Sequence, residues 1–212
     1  MEAVLFDLDG TLMDTSEGVL ESFFYVIDRL NYPVIPQKEV KSMIGTPVQE
    51  WFKKFYGADN EIAQYATELF REHNLKYSTT KATVYSGVYE LLEELVNRNI
   101  KIAVATYKRE DCARLLLQNF GVLKYCDSFH GADNYNKLSK MNIINICLDE
   151  LFVNRENIVF VGDTTLDAQG AFNAGIQFIG VTYGLGFKNL EEIEKYPHIG
   201  FVDNIADIIK FL

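Results

Sequence analysis

Short apolar runs recur along the chain, and each is followed by a stretch with helical periodicity. Runs of this length without polar alternation are typical of buried parallel strands that are covered on both faces. Four runs are clear, at residues 3–6, 100–105, 158–161 and 178–181, and two weaker ones lie around 128–130 and at 200–202. This alternation of strands and helices predicts an α/β fold with a doubly wound parallel sheet and right-handed crossovers.

The interval from residue 15 to residue 79 interrupts the alternation. It holds no strand-like run, and its apolar residues follow helical spacing, as at Val19 and Phe23. We therefore expect an inserted α-helical cap subdomain at 15–79 and a core domain made of residues 1–14 and 80–212. The insertion would cover the carboxyl end of the first strand, where open α/β sheets bind ligands. A cap that closes there would remove water from the site, and a purely stabilising appendage is the alternative.

The composition limits the classes of partner. The 212 residues are 48% hydrophobic, enough for a substantial core, and they carry a formal net charge of −10. Proteins that bind nucleic acid through phosphate contacts need a basic face, so this charge argues against such a partner. A small-molecule substrate fits better, and an anionic one would have to be drawn in by local cations or a metal.

The chain offers no sign of a membrane segment or a disulfide framework. No apolar window approaches the roughly 20 residues of a membrane span, and no basic leader region precedes the first apolar run. We therefore expect a cytoplasmic protein without membrane contact, either a monomer or a homodimer. Cys112, Cys126 and Cys147 show no paired spacing, which predicts buried free thiols.

Two carboxylates follow the first strand, in the segment Phe6-Asp7-Leu8-Asp9-Gly10-Thr11. Side chains at i and i+2 of an extended chain point to the same face, so Asp7 and Asp9 would converge beyond the sheet edge. Their mutual repulsion favours a bound cation, and Mg²⁺ prefers carboxylate oxygens. Gly10 would let the backbone approach a phosphate group. The alternative is an acidic turn that caps a helix.

A second acidic element follows the run at 158–161, in Gly162-Asp163-Thr164-Thr165-Leu166-Asp167. If a helix starts near Thr164, Asp163 and Asp167 lie one turn apart and can face the same ion. An acidic first turn is also favourable for capping. The sequence alone allows either interpretation.

The run at 100–105 ends in Thr106, Tyr107 and Lys108. The Thr106 hydroxyl and the backbone N–H groups at such a strand end can hold a phosphate oxygen. Thr106 could instead cap the helix that starts near Glu110.

A lysine at the start of the helix expected at 141–151 would offset several carboxylates as a point charge. Lys140 is the better candidate for this role, and Lys137 is the second.

The four elements follow one another in the order Asp-x-Asp, Thr, Lys and Asp-Asp. In this order the chain resembles the haloacid dehalogenase-like hydrolase superfamily, in the subfamily with a helical cap after the first strand. Within that subfamily it looks most like phosphoglycolate phosphatase and related pyrophosphatase or nucleotidase-like members. The resemblance covers essentially the whole chain, including Val84-Tyr85-Ser86-Gly87-Val88, which usually marks re-entry into the core. The fold it implies is a Rossmann-like core with an inserted helical cap.

The resemblance implies a magnesium-dependent phosphatase that hydrolyses a small phosphomonoester through an aspartyl-phosphate. Asp7 would be the nucleophile and a metal ligand. Asp9 would act as general acid and base, while its backbone carbonyl coordinates the metal. Asp163 would be the remaining protein ligand, with Asp167 ligating or orienting it. Four residues would contact the substrate phosphate: Gly10, Thr106, Tyr107 and Lys140.

Three positions depart from the family pattern. Tyr107 stands where a small Ser or Asn is common, and Met141 and Ser86 stand where Pro is common. The ring of Tyr107 could narrow the site, and the choice of lysine rests on position alone.

Other functions share parts of this pattern. Haloalkanoic acid dehalogenation needs no aspartate two residues after the nucleophile, so Asp9 argues against it. A phosphomutase of the β-phosphoglucomutase type has the same core and differs mainly in cap residues. The non-enzymatic alternatives are an inactive phosphate-binding homologue and a receiver-like module. Receiver domains, however, are shorter and lack both the helical insertion and Asp-x-Asp-Gly-Thr.

Overall fold

A six-stranded parallel sheet lies at the centre of the molecule, which the computed structural model describes over residues 1–135 and 137–212. The strands are β1 (Ala3–Phe6), β2 (Met13–Asp14), β3 (Thr83–Val84), β4 (Lys101–Arg109), β5 (Ser128–Ala132), β6 (Ile158–Gly162), β7 (Gln177–Val181) and β8 (Gly200–Val202). The helices are α1 (Ser16–Arg29), α2 (Gln37–Lys41), α3 (Val48–Tyr56), α4 (Asn60–His73), α5 (Val88–Asn97), α6 (Glu110–Asn119), α7 (Lys140–Leu151), α8 (Thr165–Ala174) and α9 (Leu190–Ile193).

The first strand occupies the middle of this sheet, whose order is β5-β4-β1-β6-β7-β8. Phe6, its last residue, pairs with Val104 of β4 on one side and with Val161 of β6 on the other. The chain fills β4 and β5 on one side before it crosses to β6, β7 and β8. The carboxyl ends of β1, β4 and β6 therefore lie side by side at the switch point, where sheets of this kind bind ligands.

Both faces of the sheet are covered, which explains the uninterrupted apolar runs. Val4 and Phe6 belong to one core layer, together with side chains of α5 and α6. Leu5 points to the opposite face and packs with side chains of α7 and α8. The predicted α/β fold with a doubly wound parallel sheet and a helical cap is confirmed.

Two features of the strands differ from the pattern. β4 continues to Arg109 rather than ending at residue 105, because its register with β5 shifts between Ala105 and Arg109. The short pair of β2 and β3 is not visible in the sequence, since two residues per strand leave no periodicity to detect. Met13 pairs with Val84, so this pair joins the chain where it leaves for the helical insertion and where it returns.

The helical insertion has an apolar core of its own. Phe23 of α1 lies at its centre, with its ring stacked on Phe52 at 5.5 Å and tilted against Trp51 at 6.0 Å. A short π-helical segment, Asn74–Ser78, extends α4 towards β3. The helical segment lies within the predicted bounds of 15 and 79, and its independence as a domain stays a prediction.

Two of the three cysteines are buried as expected. Cys112 and Cys147 are buried free thiols, whereas Cys126 is only half-buried, since it follows a short 3₁₀ turn at Leu123–Tyr125 on the edge of the core. Among the described residues, no helix combines the length and the apolar character needed to cross a membrane.

Candidate active site

Asp7 and Asp9 are both buried at the end of β1 but have different partners. Asp7 Oδ1 lies 2.5 Å from Lys140 Nζ. Asp9 Oδ1 accepts hydrogen bonds from Thr15 Oγ1 at 2.5 Å and from Lys108 Nζ at 3.1 Å. The charge of Asp9 still acts on Asp7, whose pKa it helps to raise, and the convergence of both carboxylates on one ion stays a prediction.

A tight turn follows β1. The carbonyl oxygen of Leu8 accepts hydrogen bonds from the N–H groups of Thr11, Leu12 and Met13 at 3.1–3.3 Å. Gly10 makes the turn with a φ of +89°, a conformation that favours glycine. The chain therefore turns back on itself directly after Asp9.

Gly10 also has a steric role that differs from the one expected. A Cβ atom at this position would lie 2.2 Å from Asp163 Oδ2. Its N–H group donates to the carbonyl oxygen of Met13 at 2.8 Å. Gly10 thus makes room for a carboxylate from β6, and its contact with a substrate phosphate stays a prediction.

Asp163 is fully buried at the end of β6 and is held by backbone donors. Its Oδ2 accepts hydrogen bonds from the N–H groups of Leu185 and Gly186, both at 2.8 Å, and its Oδ1 accepts from Thr11 Oγ1 at 3.3 Å. A Cβ atom on Gly184 would lie 2.5 Å from Asp163 Cβ. The loop after β7 therefore wraps closely around this carboxylate, which the sequence analysis did not foresee.

Asp167 caps α8 and also reaches the other buried charges, and its ligation of an ion stays a prediction. Its Oδ2 accepts hydrogen bonds from Thr164 N at 2.9 Å and from Thr164 Oγ1 at 2.6 Å, which forms a capping box at the start of α8. Its Oδ1 lies 2.8 Å from Lys140 Nζ. Oxygens of Asp7, Asp163 and Asp167 lie within 4.8 Å of one another, and we call these three residues the carboxylate cluster.

Lys140 is the lysine that meets the carboxylate cluster. It is the first residue of α7 and is 3% exposed, with Nζ between Asp7 and Asp167. The alternative, Lys137, is exposed, and its Nζ lies over the ring of Tyr135 at 5.4 Å. The stem of Lys140 passes close to α8, because a Cβ atom on Gly170 would lie 2.7 Å from its Cγ.

The charges of the carboxylate cluster are not balanced by Lys140 alone. Burial raises the pKa of Asp7 to about 7, opposed by Lys140 and reinforced by Asp167 and Asp9. Burial and the charges of Asp167 and Asp7 raise the pKa of Asp163 well above its ordinary value. Burial disfavours the charged form of Lys140, but Asp167 and Asp7 outweigh it and raise its pKa. Three buried carboxylates beside one ammonium group form a site that a divalent cation would neutralise.

The three residues after residue 105 have distinct roles. Thr106 is buried, and its Oγ1 accepts a hydrogen bond from Lys108 N at 3.2 Å. The alternative that Thr106 caps α6 is wrong, because Arg109 occupies the N-cap position. The Tyr107 hydroxyl accepts a hydrogen bond from the backbone N–H of Lys140 at 2.8 Å. Contact of Tyr107 with a substrate phosphate stays a prediction.

Lys108 is a further site residue that the sequence patterns did not predict. Its ammonium group pairs with Asp9 and its side chain is only 10% exposed. The signal was available in principle, since Lys108 follows Thr106 by two residues in a strand and such residues share a face.

A cavity lies between the core and the helical insertion. Asp9, Thr106, Tyr107 and Lys108 line it from the core, while Asp7 and Lys140 lie beneath and are at most 3% exposed. Its opposite side, which we call the cap wall, consists mainly of apolar residues of the insertion: Val19, Ile44, Pro47, Val48, Trp51 and Phe70.

Two parts of the insertion connect it to the core. Arg71 lines the cavity, and its Nη1 donates to the carbonyl oxygen of Asn134 at 2.6 Å. Gly45 also lines it, and a Cβ atom there would lie 2.8 Å from Thr164 Cγ2. The insertion therefore contacts the core directly around the cavity, in a closed arrangement.

Comparison with known proteins identifies the family to which the chain belongs. The model of a family described as haloacid dehalogenase-like hydrolase matches residues 4–181. The chain belongs to the haloacid dehalogenase-like hydrolases. This hydrolase is 32% identical over 210 residues to the 5'-nucleotidase of Pseudomonas aeruginosa, covering 99% of this chain and 94% of that protein.

Two further proteins show the range of the family. The hydrolase is 30% identical over 212 residues to the tyrosine-protein kinase PtkA of Mycobacterium tuberculosis, covering 98% of this chain and 72% of that one. The crystal structure of a predicted phosphatase from Clostridium acetobutylicum has a TM-score of 0.92 and 28% identity, covering 99% and 97% of the two chains. The resemblance drawn from the sequence is thus confirmed, together with the assignment as an enzyme of this family.

Proposed function

We propose that this hydrolase is a magnesium-dependent phosphatase that cleaves a small phosphomonoester through an aspartyl-phosphate on Asp7. The observation that carries the proposal is the carboxylate cluster, buried around Lys140 at the carboxyl ends of β1 and β6. Asp9 and Thr106 line the neighbouring cavity, where a phosphorylated substrate would bind. The names of the similar proteins, a nucleotidase and a phosphatase, agree with this reaction.

The donor set fits Mg²⁺. Asp7, Asp163 and the backbone carbonyl of Asp9 would hold the ion, with Asp167 ligating it or orienting its ligands through Lys140. All three side chains supply carboxylate oxygens, the ligands that this hard cation prefers. When bound, the ion would supply positive charge next to the phosphoryl oxygens, which is the main requirement of phosphoryl transfer.

Each residue of the site then has its own role in the reaction. An oxygen of Asp7 attacks phosphorus and forms the aspartyl-phosphate, while the bond from phosphorus to the leaving oxygen breaks. Asp9 gives its proton to that leaving oxygen, and afterwards takes a proton from the water that attacks the aspartyl-phosphate. Lys140 and Thr106 stabilise the charge on the transferring group.

The cap controls access to this chemistry. Asp7 is 2% exposed and lies beneath the cavity, so a substrate enters when the insertion moves away from the core. The β2–β3 pair, where both connections run side by side, is the natural hinge. In the closed form the apolar cap wall excludes water from the reacting groups.

We infer the substrate class from the lining of the cavity and from the names of the relatives. Phosphoglycolate, nucleoside monophosphates, pyrophosphate and sugar phosphates are the candidates, and the relative named 5'-nucleotidase makes nucleoside monophosphates the first to test. The cavity combines an apolar cap wall with the cations Lys108 and Arg109, so a substrate with an apolar portion and a second anionic group would match both sides.

The test is hydrolysis of para-nitrophenyl phosphate followed by a panel of phosphorylated metabolites. We expect activity to depend on Mg²⁺, to disappear with a chelator and to return when Mg²⁺ is added. Asp7→Asn should abolish turnover, whereas Asp28→Asn on the exposed face of α1 should retain it. Equal rates for wild type and Asp7→Asn would show the mechanism to be wrong, and phosphate transfer between sugar positions would identify a mutase instead.

A further inference from the structure

Tyr107 lies near the end of β4, and its hydroxyl contacts the beginning of α7. The two elements are far apart in the chain but adjacent in space. It accepts a hydrogen bond from the backbone N–H of Lys140 at 2.8 Å. The first N–H groups of a helix have no acceptor within the helix. Ser139 and Asn142 form a capping box that satisfies the N–H of Asn142. Tyr107 provides the acceptor for Lys140 from a different element, β4.

The side chain of Lys140 is confined on several sides. Its Nζ lies 5.6 Å from the centre of the Tyr107 ring and 5.3 Å from that of Phe160. Gly170 of α8 leaves just enough space for its stem. With the stem confined in this way, a displacement of its backbone passes directly to Nζ, which sits between Asp7 and Asp167.

We propose that Tyr107 is a positioning residue for Lys140 in phosphoryl transfer, a role that rests on the proposed function. The hydroxyl fixes the first residue of α7 against the end of β4 and thereby sets the distance between Nζ and the nucleophile. It also links two elements that bind the same phosphoryl group, since Thr106 directly precedes Tyr107. Small displacements of a reacting arrangement have large effects on rate, of the order of 100-fold for about 1 Å.

A helix cap without this role would have a different signature. Loss of a cap lowers the stability of the helix but does not change turnover while the protein stays folded. A positioning residue changes kcat while substrate binding is largely kept, and its effect disappears when the residue that it positions is removed.

The first experiment compares Tyr107→Phe with Tyr89→Phe. Each removes one tyrosine hydroxyl and keeps the ring, and the Tyr89 hydroxyl donates to the carbonyl oxygen of Phe120 at 2.8 Å on the exposed side of α5. For Tyr107→Phe we expect a fall in kcat of about tenfold, with KM within about twofold of wild type. Hydrogen exchange of the Lys140 amide, measured by NMR, should become faster. Tyr89→Phe should change none of the three.

The second experiment repeats Tyr107→Phe in a Lys140→Ala background. The proposal expects no further loss of kcat there, because the group that Tyr107 positions is gone. The same tenfold loss in both backgrounds would overturn the proposal, and so would a wild-type kcat for Tyr107→Phe beside an inactive Asp7→Asn enzyme. If Asp7→Asn itself keeps full activity, the proposed reaction fails, and this role fails with it.

Discussion

The carboxylate cluster, which is buried beneath the cavity, and the cap wall, which lines it, are built in opposite ways. Each carboxylate of the cluster is fixed by named polar partners, as when Asp163 accepts two backbone N–H groups and Asp167 closes a capping box. The cap wall consists mainly of apolar side chains, and its residues pack against the insertion's own core around Phe23. The cluster is an arrangement of charges fixed by hydrogen bonds, whereas the cap wall is an apolar surface that acts through steric fit.

This difference divides the work of the enzyme. Charges held by short hydrogen bonds in a buried place can stabilise a transition state without rearranging. An apolar surface discriminates among leaving groups mainly by size, with modest energies for each methylene group. Changes in the cluster should therefore act on kcat, and changes in the cap wall should act on KM and depend on the substrate.

The largest expected effect comes from Asp163→Asn. The amide keeps the shape of the side chain and an oxygen for the N–H groups of Leu185 and Gly186, but it removes one negative charge from the cluster. We expect a fall in kcat/KM on the order of 1,000-fold, with weaker activation by Mg²⁺. A magnesium titration of the hydrolysis rate measures both.

Asp111→Asn serves as the control for Asp163→Asn, since Asp111 is at the half-exposed start of α6 and pairs with Arg109. An Asp163→Asn enzyme with the same magnesium dependence as wild type would remove this residue from the metal site.

The second prediction concerns Gly170→Ala in α8. Alanine in place of glycine normally stabilises a helix interior by about 1 kcal/mol. Here the added Cβ would lie 2.7 Å from Lys140 Cγ, so the lysine stem must shift. We expect kcat to fall by about 100-fold while the thermal unfolding temperature changes little.

The contrast between the two readouts is the test of Gly170→Ala. The matched control is Gln169→Ala, one position earlier on the exposed side of α8, which should leave kcat unchanged. Wild-type kcat in Gly170→Ala would show that Lys140 has room to move without consequence.

The cluster could be predicted from the sequence because its signals are local. An apolar strand followed by acidic residues marks a strand end, and parallel strand ends meet at one edge of the sheet. The turn at residues 8–13 was not predicted, because the expectation assumed extended backbone beyond Phe6. The loop around Asp163 was missed because it contributes backbone N–H groups, which leave no pattern in the side chains.

The cap wall could not be separated from the cap core by periodicity. Val19 and Phe23 belong to the same apolar stripe of α1, yet Val19 lines the cavity and Phe23 is buried in the insertion. Helical spacing identifies a buried face but does not say which element covers it. That information comes from how the insertion sits on the core.

The third prediction concerns Lys108, which lines the cavity on the core side and pairs with Asp9. Lys108→Gln removes the cation beside Asp9 but keeps a long polar side chain that can still donate a hydrogen bond. We expect kcat to fall by about tenfold, since Asp9 loses one of the two groups that orient it. The measurement is the rate of product formation in a single turnover with excess enzyme.

Lys124→Gln is the control for this change, because Lys124 lies on the 3₁₀ turn at Leu123–Tyr125 with its Nζ over the Tyr125 ring. If Lys108→Gln changes KM alone, Lys108 acts on the substrate rather than on Asp9. Its role would then be substrate binding, as for the residues of the cap wall.

The smallest expected effect is that of Ile44→Val in the cap wall. The change removes one buried methylene group, worth about 0.8 kcal/mol, which corresponds to about a fourfold rise in KM. We expect it only for substrates whose leaving group reaches the wall, with kcat within about twofold of wild type. Ile27→Val in the cap core should lower the free energy of unfolding by about 1 kcal/mol and leave KM unchanged. Equal effects of Ile44→Val on substrates of every size would mean that the wall acts on the closed state as a whole, and specificity would then have to come from the core side of the cavity.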